Sequence, residues 1–219
     1  VSLQQERLTV AANTLSPFGF REMRLWTGSV PNYAINARTL AYNYGTQIAA
    51  GDPVYLNSSG DIVLFVKGGT TIDGIAYGFD YFDPNNIMSG AFHPAWTAPT
   101  LPSGTVVSGK IQTDPNMVFL AQGRGTAITQ ASVGLNFDIY SGTSGSPTTG
   151  SGQSVCAIDL STGAATATLP FRLVGILGIT PGFSTQGLNV PAGYVATNDN
   201  QFVAVTMNTQ DMTTRSGQL

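Results

Sequence analysis

The chain has 219 residues, yet only 9 are Lys or Arg and 12 are Asp or Glu, with a single His and a single Cys. Charged residues make up 10% of it, against roughly 25% in an ordinary soluble domain. Catalytic groups come mostly from His, Cys, Asp, Glu and Lys acting on one another in clusters, so this composition argues against an enzyme. The basic residues are scattered singly, without the stripe that neutralises phosphates, so no nucleic-acid partner is expected. No apolar run approaches the roughly 20 residues needed to cross a bilayer, so no membrane partner is expected either.

In chain order, residues 1–22 precede any obvious sheet and contain Ser16-Pro17-Phe18-Gly19-Phe20; they read as an extended N-terminal arm. They hold no continuous apolar core of a signal segment. Clusters of β-branched and aromatic residues follow, each bounded by Gly, Pro, Asn or Asp: Pro53–Leu56, Ile62–Val66, Ile72–Phe82, Thr105–Ile111, Met117–Gln122, Phe137–Tyr140, Ser154–Leu160, Phe171–Thr180 and Phe202–Met207. Many short strands with explicit turn residues predict an all-β fold, a β-barrel or β-sandwich body with little helix. Residues 89–104 carry three prolines and read as a connection between a β unit over 23–88 and a larger one over 105–219. Strands of both units interleaved in one body would produce the same pattern. The Ser/Thr/Gly-rich stretch Ser141–Gly152 reads as a loop.

Few residues suggest chemistry. Gly142-Thr143-Ser144-Gly145-Ser146-Pro147 is similar to the nucleophile loop of chymotrypsin-like proteases, with His93 and Asp114 upstream in the right order. Thr143 stands where that motif carries an acidic residue, and His93 precedes Pro94 in a proline-rich stretch, so the protease reading is rejected. His93 is read as a turn or interface residue. Asp52, Asp61, Asp73, Asp80, Asp83 and Asp114 mostly flank Gly, Pro or Asn, where Asp bonds its own turn. Calcium binding by Asp80, Asp83 and Asn85 lacks the spacing of a dedicated loop, and no cofactor or metal is expected. Asn57-Ser58-Ser59 reads as a hairpin turn. Cys156 cannot form an intrachain disulfide; it reads as a small buried hydrophobe in a protein that folds in a reducing cytoplasm. Along a regular strand Tyr77, Phe79 and Tyr81 would share one face, as core packing or as a protein-contact face.

Six segments in register resemble the capsid cement, or decoration, proteins encoded by tailed bacteriophages and prophages near the major capsid gene. They are Pro17–Arg21, Gly51–Val54, Ile72–Phe79, Asp114–Phe119, Gln130–Asn136 and Phe171–Ile176, spread over residues 17–180. The likeness weakens beyond Thr180, and the last forty residues are read from their own pattern alone. The resemblance implies a β-rich virion protein on the capsid exterior, made in the bacterial host cytoplasm. It would stabilise the capsid by bridging major capsid subunits, and such proteins commonly form trimers. Capsid contacts are expected in the arm at Phe18, Phe20 and Arg21, and at the loop tip Asp83, Asn85 and Asn86. The alternatives are a tail or head-fibre component, or a carbohydrate-binding β-module with Trp26 and Trp96 as platforms.

Overall fold

The structure is a computed structural model and describes residues 13–25, 27–31, 35–82, 92–140, 152–184 and 194–208. Among the described residues the strands are β1 (Arg21–Leu25), β2 (Ile35–Leu40), β3 (Ile48–Ala49), β4 (Pro53–Leu56), β5 (Ile62–Leu64), β6 (Gly74–Asp80), β7 (Phe92–His93), β8 (Ala95–Trp96), β9 (Val107–Gln112), β10 (Met117–Arg124), β11 (Asn136–Phe137), β12 (Ile139–Tyr140), β13 (Ala157–Asp159), β14 (Phe171–Ile176) and β15 (Phe202–Met207). Helical structure among them is confined to 3-10 turns such as Gln130–Ser132 and Leu160–Thr162. The fold is all-β, with a nearly closed, barrel-like sheet and further sheets. No helix among the described residues is long and apolar enough to cross a membrane.

One sheet runs β11-β14-β15-β10-β13-β12, with β1 added to β10; the other runs β2-β9-β6-β4-β5, with β7 added to β6. A third pairing joins β3 to β8. The strands are interleaved: β1 belongs to the sheet built from the C-terminal half, and β9 lies between β2 and β6. A division at residues 23–88 and 105–219 therefore does not follow the sheets. The proline-rich stretch is not a bare connection either, since it carries the two-residue strands β7 and β8 on either side of Pro94.

Three apolar clusters result from the alternation of side chains across these strands. The largest joins both sheets: Phe20, Phe65, Ile72 and Ile75 meet Met117, Phe119, Phe137, Phe171, Leu173, Ile176, Val203 and Val205. The second gathers Leu40, Ile48, Val54, Ile62, Ala76, Phe79, Trp96, Val107 and Ile111. The third covers the far face of the first sheet with Val118, Val174, Leu177, Phe202 and Ala204. Burial on both faces explains why β15, Phe-Val-Ala-Val-Thr-Met, is buried at every position and reads as an unbroken apolar run. Cys156 is buried in the largest cluster, as expected of a small hydrophobe.

Two expectations are corrected by packing. The arm reading fails over the described residues 13–22, which are strapped to the body. The Asn13 side chain exchanges hydrogen bonds of 2.9 Å with the Val195 backbone, and the Gln122 amide holds Thr14 O and Ser16 N–H at 2.8 Å. Phe18 stacks on Phe202 at 5.6 Å and Phe20 on Phe171 at 4.3 Å, so the two rings enter different clusters. Gly19 between them has φ +74°, and a Cβ there would lie 2.5 Å from Ser154 Cβ. The second correction concerns Tyr77. The β6–β9 register shifts between Ala76 and Gly78, and this irregularity breaks the alternation. Phe79 and Tyr81 are buried while Tyr77 is 48% exposed, so the three rings do not share a face.

Replacing Phe20 with Ala is expected to lower the unfolding free energy by about 3–5 kcal/mol, the range for deleting a buried aromatic ring. Phe18→Ala, at a half-buried site, should cost clearly less. Urea denaturation of the two variants beside the parent checks the ranking.

Candidate functional site

The turn Gly51-Asp52-Pro53 is the point at which separate parts of the chain meet. Gly51 O accepts from Phe20 N–H at 3.0 Å, and Gly51 N–H donates to Ala76 O at 2.8 Å. Ala50 N–H donates to Gly152 O at 3.0 Å, and Ala50 O accepts from Ser154 N–H at 2.9 Å. Beneath the turn lies the Asp52 carboxylate, 1% exposed. One oxygen accepts from Ala49 N–H at 2.8 Å, the turn role expected of it; the other accepts from the Ser154 hydroxyl. Burial pushes the Asp52 carboxyl up to about 6, and these two hydrogen bonds pull it back only part of the way. Ser154 Oγ in turn accepts from Cys156 N–H at 2.9 Å. The Ser154–Asp52 hydrogen bond joins segments 102 residues apart, while the bonds to Ala49 and Cys156 fix each partner locally, so the pair reads as a structural clamp.

A cleft of about 370 Å³ opens beside this turn, between β1 and β6. Its floor is Phe20, Ile75 and Phe119; Tyr77 and Phe92 stand at its sides, and Arg21, Glu22, Gln112 and Gln153 supply polar groups. Gln112, 1% exposed, donates from Nε2 to Glu22 Oε1 at 2.8 Å and accepts from Asp114 N–H at 3.0 Å through its own Oε1. A buried amide fixed at both ends thus orients the Glu22 carboxylate. Burial raises the Glu22 carboxyl above its ordinary value, and the bond from Gln112 opposes that rise.

The residues singled out in the sequence are distributed unevenly around this site. Phe20 lies in its floor, 3% exposed, and its ring is committed to the core, which overturns its assignment as a capsid contact. Phe18 is half-buried, and the exposed Arg21 guanidinium lies 4.7 Å from its ring centroid. Asp83, Asn85 and Asn86 lie outside the described residues, as do Trp26 and the segment Gly142–Pro147. Trp96 is fully buried and donates its indole N–H to Tyr44 O at 2.8 Å, so it offers no platform for a sugar. His93 sits on β7 opposite Phe79 and stacks on Tyr81 at 4.1 Å, a strand position and not a turn.

Among the aspartates, Asp114 makes the expected turn, accepting from Asn116 N–H at 2.8 Å. Asp73 and Asp80 instead form ion pairs, with Arg38 and Lys110, each at 3.0 Å. Asn57 makes the predicted hairpin turn between β4 and β5, its side-chain oxygen accepting from Ser59 and Asp61 N–H at 2.9 Å. Among the described residues no group of three or more His, Cys, Asp or Glu gathers in the manner of a metal site. Glu22 and Gln112 escaped sequence reasoning, because residues 90 apart carry no joint signal until the sheets meet. Tyr77 was visible beside Phe79 and Tyr81 in an aromatic series, but not as the ring of those three that turns outward.

Comparison of the chain with protein-family models, with curated proteins and with solved structures found no match.

The Asp52 carboxyl sets a pH dependence. Its unfolded value is near 3.8 and its folded value is raised to about 6, so the folded state holds the proton more tightly. The contribution is complete below the unfolded value and is lost as pH rises through the folded one. Unfolding free energy should therefore increase by about 1–2 kcal/mol from this group as pH falls from 8 to 5. Glu22 adds a change of the same sign. Urea titrations across that range should show the increase, and Asp52→Asn should flatten most of it.

Proposed function

We propose that this chain is a structural protein of a tailed-phage virion that binds the outside of the capsid and stabilises it by bridging major capsid subunits. The observation that carries this reading is the set of six segments, in order over residues 17–180, that resemble capsid cement proteins. The segments lie at the joints of this fold. Pro17–Arg21 and Gly51–Val54 meet at the central turn. Ile72, Ile75, Phe119, Phe171, Leu173 and Ile176 are buried together in the largest cluster. The likeness therefore runs through the residues that build the body, and supports a shared architecture.

The scarcity of charge supports a surface made to be covered. Burying an unpaired ion at a contact costs several kcal/mol, whereas Ser, Thr, Asn and Gln form neutral hydrogen bonds. Weak contacts repeated over a lattice then add through multivalency. Of the proposed capsid contacts, Phe18 and Arg21 remain on the described surface, and Asp83, Asn85 and Asn86 stay in the proposal. The partner is the major capsid protein, the site of action the capsid exterior, the oligomer a homotrimer, and the role non-enzymatic.

Co-sedimentation with purified capsids built from the neighbouring major capsid protein is the test. The protein should pellet with capsids and raise their melting temperature. The double variant Phe18→Ala, Arg21→Glu should bind at least tenfold more weakly while retaining its fold. Absence of the parent protein from the capsid pellet would overturn the reading. A deletion in this region should stop at residue 12, because removing Phe20 empties part of the core.

A further inference from the structure

The cleft between β1 and β6 has the lining of a small-molecule site, and its volume of about 370 Å³ falls within the roughly 300–1,000 Å³ of such sites. Two features distinguish it from an ordinary surface fold. First, the register shift in β6 turns Tyr77 out of the core alternation, and Phe92 lies across Gly78, where even a Cβ would come within 2.5 Å of its ring. Both rings are about half exposed, at 48% and 47%, and neither stacks on another ring among the described residues. Second, the Glu22 carboxylate is held at the cleft by Gln112, whose amide is fully buried and anchored by Asp114 N–H. Only Oε1 of that carboxylate is engaged by Gln112.

The charges select the class of ligand. An anion meets Glu22. A cation meets Arg21 in the lining. A neutral ligand with groups that both donate and accept satisfies both sides, since a hydroxyl donates a hydrogen bond to a carboxylate and accepts one from a guanidinium. Its body must present a flat apolar face to Tyr77 or Phe92. A pyranose ring has both properties: axial C–H groups on one face and hydroxyls around its rim.

We propose that this cleft binds a neutral pyranoside, with Tyr77 and Phe92 as stacking walls and Glu22 and Arg21 as the hydroxyl partners. The two proposals share Arg21 but are read by different measurements, sugar binding by NMR and capsid binding by sedimentation, so each fails on its own result.

Saturation-transfer NMR on the full chain, titrated separately with methyl glucoside, methyl galactoside and methyl N-acetylglucosaminide, tests it. At least one of these should bind, and Tyr77→Ala should weaken it about tenfold, the scale of losing one ring contact. Glu22→Gln, which keeps the side-chain shape, should weaken it by a similar factor. Phe82→Ala, at an exposed ring outside the lining, should bind like the parent. Circular dichroism and urea midpoints confirm that the variants fold. The proposal is overturned if no pyranoside gives transfer, if Tyr77→Ala and Glu22→Gln both bind like the parent, or if phenol binds where no pyranoside does.

Discussion

A single buried turn holds this fold together. At Gly51-Asp52 the strap before β1, the middle of β6, the segment after β7 and the segment before β13 are joined by backbone hydrogen bonds, and the Asp52 carboxylate closes the joint on Ser154. A carboxylate so deeply buried is expensive, because its hydration must be replaced by a few fixed donors. Only Ser154 and Ala49 replace it here, which is why its proton affinity rises. Weakening that joint would loosen the two sheets from each other and open the largest cluster to water, since Phe20 is delivered to the core by the same turn.

The joint also makes the cleft. With Phe20 drawn down to the Gly51 carbonyl, the next residues, Arg21 and Glu22, are left along its rim. The β6 irregularity then sets Tyr77 opposite them, and Gly78 makes room for Phe92. The core and the cleft are thus two faces of one arrangement. Phe20, Ile75 and Phe119 belong both to the core and to the floor of the cleft, while Glu22, Phe92 and Gln112 serve the cleft alone.

Much of the strand content was legible because turn chemistry is local. Pro53–Leu56 and Phe202–Met207 match β4 and β15 in full, and Asn57 and Asp114 cap the turns that their residue types favour. Other strands were placed correctly but drawn too long, as with Ile72–Phe82 for β6 and Phe171–Thr180 for β14. Strands without a local signature were missed. β2, Ile-Asn-Ala-Arg-Thr-Leu, reads as polar because much of it faces solvent and Arg38 answers the buried Asp73 across the sheet. β7 and β8 are two residues each beside a proline, below the length at which periodicity has meaning.

The amino-acid sequence by itself determined the all-β class, the turn positions and the poverty of ionisable groups, because each depends on residue type and on neighbours within a few positions. Tertiary structure decided which strands share a sheet, that Phe20 is core while Phe18 is half exposed, that Tyr77 points outward, and that Glu22 meets Gln112. Those outcomes depend on contacts between residues far apart in the chain, where a one-residue shift in register exchanges buried for exposed. The low charge with which the sequence opens thus describes a surface in general terms. Only the packing shows where that surface is interrupted by a cleft with a carboxylate and two half-exposed rings.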